Sequence, residues 1–328
     1  MTAYCTYFDS GYLSRGLALI GSLREHGDDS PIWVLALDDE VPRRIAEMHL
    51  DDVQVIRVHE MEAAFPRLAG VRAERTRMEY YFTMTPLLIA YVMDHSPAGT
   101  AVAYLDADMW FFSEPAAVWE VLGAGSVGII EHRYPPRLAR RLAQYGTYNV
   151  GWVGFRNDEP GRACLAWWGE QTIEWCRDTP ADGKYADQGY LDEFPRRFEG
   201  VVVLQHLGAD AAPWNSSRWS WTTNEQGVRV DGDPLLFFHF HGLRRVSGWW
   251  VSSQLGYAAP MGRVLRDHVY TPYVRALERW DALLPPAPKV ARRGVGLRGR
   301  LFALQRATLT ALSVLTRNAV RATASRQG

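Results

Sequence analysis

The chain has 328 residues, 36 of them basic and 37 acidic, so its net charge is −1. This length can bury a substantial core, and a charged fraction of 22% is that of a globular protein rather than of a disordered or collagen-like chain. The three cysteines argue against a disulfide framework, because their number is odd and none has C-x-x-C spacing. We find neither a signal-peptide pattern nor the ~18 to 20 apolar residues of a membrane span. We therefore expect a cytoplasmic protein.

Strands and helices alternate along the first hundred residues. Short apolar runs predict the strands, and apolar residues three or four positions apart predict the helices. The predicted order is strand 3–8, helix 13–23, strand 31–37, helix 41–48 and strand 53–58. The segment 73–94 is predicted as two helices, because Thr85-Pro86 resembles an N-cap followed by proline at the first helical position. This alternation is typical of an α/β fold whose mostly parallel sheet is flanked by helices and binds ligands at the carboxyl ends of its strands.

The same pattern continues to residue 284, after which the composition changes. Further strands are predicted at 101–105, 127–130, 148–156, 201–204 and 235–240, and further helices at 116–122, 137–143, 161–177, from 187, and at 260–283. Residues 289–328 hold nine basic and no acidic residues, which leaves 27 basic against 37 acidic in the rest. We therefore divide the chain into a domain at 1–284, a proline-rich and basic linker at 285–296, and a basic amphipathic helical tail at 297–328. Such a tail would lie on an anionic membrane surface or pack on the body.

The strand at 101–105 runs directly into Asp106-Ala107-Asp108. Two carboxylates at the end of a buried strand are costly unless a cation or hydrogen-bond donors hold them. Side chains at positions i and i+2 of a strand share one face, so both carboxylates can reach one divalent ion, which can in turn bind a diphosphate. The alternative is that both aspartates cap a turn.

Motifs along the chain then point to a known family. The segment YLDADMWFFSEP follows FDSGYLSRGLALIGSL and precedes YNVGWVGFR, DQGYL and FHFHG. With these motifs in order, the chain up to about residue 250 resembles the GT-A-fold glycosyltransferases of the glycogenin and lipopolysaccharide-galactosyltransferase type, often called family 8. The resemblance implies a Rossmann-like GT-A fold and the transfer of a sugar from a nucleotide diphosphate with retention of configuration.

The resemblance also implies a metal site. Asp106 and Asp108 would bind Mn²⁺ or Mg²⁺. The family's third ligand is the histidine of an H-F-x-G-x-x-K-P-W segment, and His239 begins the matching H-F-H-G-L-R-R here. The sequence departs from the family at Arg245, which replaces the lysine and can still pair with a diphosphate, and the Pro-Trp pair is absent. His206, in QHLGADAAPWN, is the competing third ligand, since its segment also has the form H-x-G and contains Pro-Trp.

The substrate contacts follow from the same resemblance. The loop after the first strand would hold the base and ribose, with Tyr12 stacking on the base. Asp187 and Gln188 would lie beside the anomeric carbon as the catalytic pair. The other expected substrate contacts are Tyr7, Phe8, Asp9, Arg77, Asn149, Gly151, Trp214 and Asn215. The structural alternatives are core packing for Phe8, a solvated helix face for Arg77, turn capping for Asp187 and an internal hydrogen bond for Asn149.

The sequence therefore predicts a Mn²⁺- or Mg²⁺-dependent glycosyltransferase of polysaccharide biosynthesis. Its donor is expected to be a UDP-sugar, its acceptor a glycan or a lipid-linked molecule, and its location the inner face of the membrane, reached through the tail. One alternative is a sugar-1-phosphate nucleotidyltransferase, which would need a glycine-rich basic loop that FDSGYLSRG does not supply. The other is a non-catalytic binding module recruited to a membrane by the tail. Nucleic-acid binding is not expected, because the body is acidic.

Overall fold

A seven-stranded sheet forms the centre of the protein. The computed structural model describes residues 1–50, 52–181, 183–284 and 307–322. The first strands are β1 (Thr2–Phe8), β2 (Ile32–Ala36), β3 (Val53–Arg57), β4 (Ala101–Leu105), β5 (Met109–Phe111), β6 (Val127–Glu131), β7 (Tyr148–Arg156) and β8 (Val201–Val203). All but β5 form the sheet, in the order β3-β2-β1-β4-β7-β6-β8. Only β7 runs antiparallel to its neighbours, so the predicted α/β fold with a mostly parallel sheet is confirmed.

Helices cover both faces of this sheet. In chain order they are α1 (Leu13–Glu25), α2 (Glu40–Glu47), α3 (Val58–Ala64), α4 (Pro66–Val71), α5 (Arg77–Asp94), α6 (Ala116–Leu122), α7 (Arg140–Tyr145), α8 (Glu159–Glu174), α9 (Phe194–Arg197) and α10 (Thr271–Leu283). On β1, Ala3 and Cys5 pack in the core shared with α5 and α8, whereas Tyr4 and Phe8 pack in the core shared with α1 and α2. Burial on both faces explains why the strands read as nearly continuous apolar runs.

Helix α5 is continuous, so the prediction of two helices over 73–94 is wrong. It begins after Thr76, whose hydroxyl accepts a hydrogen bond from the Glu79 amide at 3.2 Å, while the Glu79 carboxylate accepts one from the Thr76 amide at 2.7 Å. This reciprocal cap, rather than Thr85-Pro86, starts the helix. Pro86 lies inside the helix, where it has no N–H to donate to the Phe82 carbonyl. Burial of α5 in the core beside α8 offsets that loss.

The chain after β8 forms short antiparallel pieces around a third core. Its strands are β9 (Trp221–Asn224), β10 (Gly227–Val230), β11 (Asp233–Pro234), β12 (Phe237–His239), β13 (Arg244–Val246) and β14 (Trp249–Val251). Strand β12 pairs antiparallel with β5, and His239 lies opposite Met109 in that register. Because β5 directly follows Asp106-Ala107-Asp108, this pairing carries His239 to the two aspartates. A π-helical stretch at Leu265–Tyr270 precedes α10, where the sequence predicts one long helix.

The described part of the C-terminal tail is not helical throughout. Residues 307–315 are helical, and β15 (Ala319–Arg321) then pairs antiparallel with β14. The predicted helix over 297–328 is therefore interrupted, because Ala319–Arg321 take up the edge of the β13-β14 pair. The predicted linker at 285–296, together with 297–306 and 323–328, lies outside the described residues, so the domain boundaries stay predictions. Within the described ranges, no helix combines the length and the hydropathy of a membrane span.

Candidate active site

Asp106, Asp108 and His239 converge beside the carboxyl end of β4. One potential ligand atom from each lies within 4.8 Å of the other two. His239 Nε2 is 3.1 Å from Asp108 Oδ1 and 3.5 Å from Asp106 Oδ2, and only 4% of the His239 side chain is exposed. Two carboxylates and an imidazole at this spacing suit a divalent cation such as Mn²⁺ or Mg²⁺. His206 is not part of this cluster; its Nδ1 instead accepts a hydrogen bond from the Gly208 amide at 3.1 Å.

The three side chains shift one another's pKa values. Burial raises the pKa of Asp106, and His239 opposes that rise. Burial would also raise the pKa of Asp108, but the charge and hydrogen bond of His239 bring it down to about 2. For His239, burial alone would lower the pKa, but Asp108 and then Asp210 hold it well above its usual value. A positive charge between the two carboxylates therefore stabilises their ionised forms. A bound divalent cation would supply that charge.

Two further residues position this cluster. The Tyr104 hydroxyl donates to Asp106 Oδ1 at 2.8 Å. On the other side of the cluster, Asp210 Oδ1 lies 3.8 Å from His239 Nδ1. Asp210 is fully buried, and within the described part of the chain its carboxylate oxygens have no hydrogen-bond partner. A carboxylate behind a metal-binding histidine orients the ring and fixes its protonation state. The sequence predictions missed Asp210, whose only signal is its place in QHLGADAAPWN.

Two cavities meet at the cluster. The first, of about 300 Å³, is lined mainly by the loop after β1 and by α5. The second, of about 290 Å³, is lined by residues of β7, by the segment 185–188 and by several aromatic rings. Asp106, His239 and Tyr7 line both cavities. Adjoining cavities of this size around one charged cluster can hold two parts of one ligand, or two ligands side by side.

Comparison with known proteins places the chain in a family. No family model matches the sequence. Over 256 residues the chain is 32% identical to YfnF, an uncharacterised protein of Bacillus subtilis (strain 168), and the match covers 75% of this chain and 83% of YfnF. The chain belongs to the YfnF family. A second uncharacterised protein of the same organism, YfnD, is 29% identical over 279 residues, which cover 84% of this chain and 89% of YfnD.

Solved structures identify the fold of this member of the YfnF family. The galactosyltransferase LgtC, in complex with donor and acceptor sugar analogues, matches with a TM-score of 0.52 and 15% identity over 86% of this chain and 100% of LgtC. An active-site mutant of LgtC matches with a TM-score of 0.51 and 14% identity over 88% of this chain and 98% of its own. The fold is that of the GT-A glycosyltransferases, which confirms the predicted resemblance at the level of fold.

In this GT-A fold, the residues predicted to hold the base and ribose line the first cavity. They are Tyr7, Phe8, Asp9 and Tyr12. Tyr12 is 46% exposed and can stack on a flat ligand, whereas Phe8 is only 2% exposed and packs mainly in the core. Arg77 does not line the cavity. It pairs with Asp9 and donates to the Tyr81 hydroxyl at 2.7 Å, and Asp9 and Tyr81 both line the cavity.

The predicted contact of Arg245 with a diphosphate stays a prediction, and in this structure Arg245 pairs with Asp281 of α10. Its guanidinium lies 3.8 Å from Asp281 and 6.0 Å from the Trp250 ring, and it lines neither cavity. Pairing of β13 with β14 turns the side chain toward α10 instead. A different basic residue, Arg15, was missed. Its guanidinium carbon lies 4.7 Å over the ring of Tyr12, and one of its nitrogens donates to a backbone carbonyl at 2.9 Å.

The residues predicted beside the donor sugar line the second cavity and are linked to one another. Asn149 Nδ2 donates to Gln188 Oε1 at 3.1 Å, and Gln188 Nε2 donates to the Tyr145 carbonyl at 2.8 Å. Asp187 precedes Gln188 and is 4% exposed. Burial raises the pKa of Asp187 to about 7, although a hydrogen bond from Thr85 opposes the rise. A carboxyl group that titrates near neutral pH inside a cavity is a candidate for a functional role.

Gly151 makes room for its neighbours and lines neither cavity. A Cβ atom at this position would lie 2.5 Å from Asn149 Oδ1 and 2.7 Å from His239 Nδ1. The Gly151 carbonyl also accepts a hydrogen bond from the Asp106 amide at 2.8 Å. Gly151 therefore has a packing role, since only glycine allows β7 to pass this close to His239, and its predicted substrate contact stays a prediction.

The two predicted acceptor contacts, Trp214 and Asn215, have different surroundings. Trp214 lines the second cavity, and its ring meets that of His239 edge-on at a centroid distance of 5.1 Å. Asn215 is fully buried, and its amide nitrogen donates to the His132 and Asp210 carbonyls while its oxygen accepts from the Ala212 amide. These bonds hold the loop together, and the predicted contact of Asn215 with the acceptor stays a prediction.

Proposed function

We propose that this protein is a retaining, metal-dependent glycosyltransferase that moves a sugar from a UDP-sugar to a glycan or lipid-linked acceptor. The observation that carries the proposal is the position of the Asp106, Asp108 and His239 cluster where the two cavities meet. A donor with its nucleotide in the first cavity would have its diphosphate at the cluster and its sugar in the second cavity. The GT-A fold, shared with a galactosyltransferase, supports the same function.

In the proposed reaction, the bond between the anomeric carbon and the diphosphate oxygen breaks, and its electron pair leaves with UDP. The acceptor hydroxyl forms the new bond on the same face, and its proton passes to the departing diphosphate. A bound divalent cation would neutralise the charge that develops on that leaving group. The anomeric carbon becomes electron-poor at the same time, and the carboxylate of Asp187 or the amide oxygen of Gln188 would stabilise it. Asn149 holds the Gln188 side chain in place for this role.

The first cavity supports a nucleotide as the outer part of the donor. Tyr12 offers an exposed ring for the base, and Arg15 beside it offers positive charge for phosphate. A UDP-sugar is the donor that we propose on the basis of the family resemblance, and Mn²⁺ or Mg²⁺ is the cation that suits two carboxylates and a histidine.

The tail supports a location at the inner face of the cytoplasmic membrane. Leu309, Leu312 and Leu315 are 41, 45 and 81% exposed on the helical residues 307–315. Apolar side chains of this kind on a basic segment favour an anionic lipid surface, where a lipid-linked acceptor would also lie. Vesicle co-sedimentation with and without phosphatidylglycerol tests this extension separately from the enzyme activity.

The enzyme activity is tested by UDP release from a panel of UDP-sugars, with and without Mn²⁺. We expect one UDP-sugar to be hydrolysed slowly without acceptor, only with the metal, and the Asp108→Asn variant to lose roughly 100-fold or more of that rate. Asp94→Asn is the matched control, because Asp94 is a surface residue paired with Arg162. Formation of a nucleotide sugar from a sugar 1-phosphate and a nucleoside triphosphate, or donor binding without any hydrolysis, would contradict the proposal.

A further inference from the structure

The second cavity contains an arginine, Arg141, that has no ion-pair partner in the part of the chain that the structure describes. Arg141, at the start of α7, lines this cavity and is partly buried. Within the described residues it forms no ion pair and no hydrogen bond through its guanidinium. Nearby arginines differ, since Arg133 donates to three backbone carbonyls and Arg137 donates to Ser217 and to two backbone carbonyls. Of these three arginines, Arg141 is the one whose guanidinium has no hydrogen-bond acceptor among the described residues. Its N–H groups are available to a ligand.

Aromatic rings hold the Arg141 guanidinium in position. Its carbon lies 4.9 Å from the centroid of the Tyr257 ring and 5.9 Å from that of Tyr145. Ring contacts of this kind engage the faces of the guanidinium and leave the N–H donors in its plane available. Tyr134 and Tyr185 line the same cavity. A sugar can stack on these rings while an anionic substituent reaches Arg141.

A row of aromatic rings connects Arg141 to the metal-binding cluster, in the order Arg141, Tyr257, Trp214 and His239. The Trp214 ring is 5.1 Å from that of His239, and the Tyr257 ring is 6.3 Å from that of Trp214. The proposed donor has its diphosphate at His239 and its sugar in the part of the second cavity next to the cluster, so we assign the wall around Arg141 to the acceptor. This placement rests on the proposed function.

The other basic side chains that line this cavity are His132, His239 and His241. His239 lies 3.1 Å from Asp108 and 3.5 Å from Asp106, so the two carboxylates balance the positive charge that it carries when protonated. Of the acidic lining residues, neither Asp106 nor Asp187 forms a described ion pair with Arg141. A neutral acceptor that filled the cavity would therefore remove water from Arg141 and offer no charge in return, which is costly.

We propose that Arg141 and the tyrosines beside it form a subsite for an oxyanion on the acceptor. The anion is the carboxylate of a uronic acid or the phosphate of a phosphorylated or lipid-linked sugar, because both present two oxygens to the guanidinium fork.

The test is acceptor binding to the full-length protein, saturated with UDP and Mn²⁺. Calorimetry compares methyl glucoside with methyl glucuronide and with glucose 1-phosphate, so that the two anionic probes separate carboxylate from phosphate as the source. We expect the better anionic probe to bind at least about tenfold more tightly than the neutral sugar, and Arg141→Ala to remove that advantage. Arg141→Lys should restore part of it. Arg140→Ala is the matched control, since Arg140 is the neighbouring arginine on the same helix, is exposed and does not line the cavity.

The affinity for UDP in the same samples separates this inference from the proposed function. If wild type binds UDP with Mn²⁺ but binds the anionic probes no better than methyl glucoside, or binds none of them, the subsite does not exist and the proposed function stands. If Arg141→Ala weakens the binding of UDP, or of the UDP-sugar that the protein hydrolyses, as much as it weakens the binding of the anionic probe, Arg141 serves the donor and the inference is overturned. Failure of wild type to bind UDP with Mn²⁺ would contradict both.

Discussion

Asp210 and His239 form a buried pair, with Asp210 Oδ1 3.8 Å from His239 Nδ1. That distance is longer than a hydrogen bond, and in the described part of the chain both Asp210 oxygens and this ring nitrogen have no other partner. The opposite ring nitrogen, Nε2, faces Asp106 and Asp108. A small rotation of the imidazole would let Nδ1–H donate to Asp210 while Nε2 binds a metal ion. This arrangement suits a histidine that binds a cation through Nε2 while Asp210 lies behind its ring.

Asp210→Asn is expected to lower the affinity for Mn²⁺ by about 10- to 100-fold, because asparagine orients the ring without the negative charge that strengthens it as a ligand. Isothermal titration with Mn²⁺ measures this change. The metal-free variant should unfold at the same temperature as wild type or higher, since burial raises the pKa of Asp210 and the carboxylate has no hydrogen-bond partner among the described residues. Unchanged Mn²⁺ affinity would show that Asp210 does not position His239.

Gly151→Ala should disturb the same histidine from the side of β7. The added methyl group would lie 2.7 Å from His239 Nδ1 and 2.5 Å from Asn149 Oδ1, so both side chains must move. We expect Mn²⁺ affinity and donor hydrolysis each to fall by at least about tenfold, as expected when a ligand is displaced by about 1 Å. Gly262→Ala is the control, because a Cβ atom there meets nothing within 4 Å. Equal behaviour of the two variants would contradict the packing role of Gly151.

Asp187→Asn should stabilise the metal-free protein, and it should abolish donor hydrolysis if the Asp187 carboxylate, rather than the Gln188 amide, faces the anomeric carbon. Burial raises the pKa of Asp187 from its ordinary 3.8 to about 7. Between these pH values the unfolded chain releases the proton and the folded chain keeps it, so the free energy of unfolding falls as pH rises from about 4 to 7, by up to roughly 4 kcal/mol.

Asparagine at this position cannot ionise, so the difference between the variant and wild type should depend on pH. Urea unfolding should give similar midpoints at pH 4 and a higher midpoint for the variant at pH 8, whereas the surface control Asp94→Asn should show no such pH dependence. A variant that is less stable than wild type at pH 8 would mean that the Asp187 carboxylate serves the fold rather than the reaction.

Arg15→Ala and Arg245→Ala should separate the two candidates for a cation beside the diphosphate. Neither arginine lines the first cavity, but the Arg15 guanidinium lies 4.7 Å over the ring of Tyr12, which does line it, whereas Arg245 pairs with Asp281. We expect Arg15→Ala to weaken UDP binding by about tenfold or more, and Arg245→Ala to leave it within about twofold, because a charge-assisted hydrogen bond to phosphate contributes about 1.5 to 3 kcal/mol. The reverse order would support the prediction made from the sequence.

Local patterns predicted much of the fold and part of the site. The apolar run of β4 and the two aspartates that end it are contiguous in sequence, so both the strand and the metal hypothesis follow from a few neighbouring residues. His239 is different, because it reaches the aspartates only through the pairing of β12 with β5. No periodicity predicts that pairing, and the resemblance to a family supplied it.

The misses have a common physical cause in tertiary packing. Thr85-Pro86 looks like a helix start, but the burial of α5 against α8 carries the helix through the proline. The predicted ligand contacts of Arg245 and Asn215 stay predictions, but their surroundings also depend on packing, since Arg245 pairs with Asp281 of α10 and Asn215 donates to the His132 carbonyl. Asp210 could not be recognised because its partner, His239, lies far away along the chain.

The most direct test of the metal site is titration of Mn²⁺, in the presence of UDP, into wild type and the matched variants His239→Ala and His206→Ala. Wild type should bind one Mn²⁺ per chain, and His206→Ala should bind it with the same affinity. The affinity of His239→Ala for Mn²⁺ should be at least about tenfold lower. The reason is that Asp106, Asp108 and His239 form the cluster, whereas His206 lies outside it. Loss of binding in His206→Ala alone, or no Mn²⁺ binding by wild type, would contradict the account.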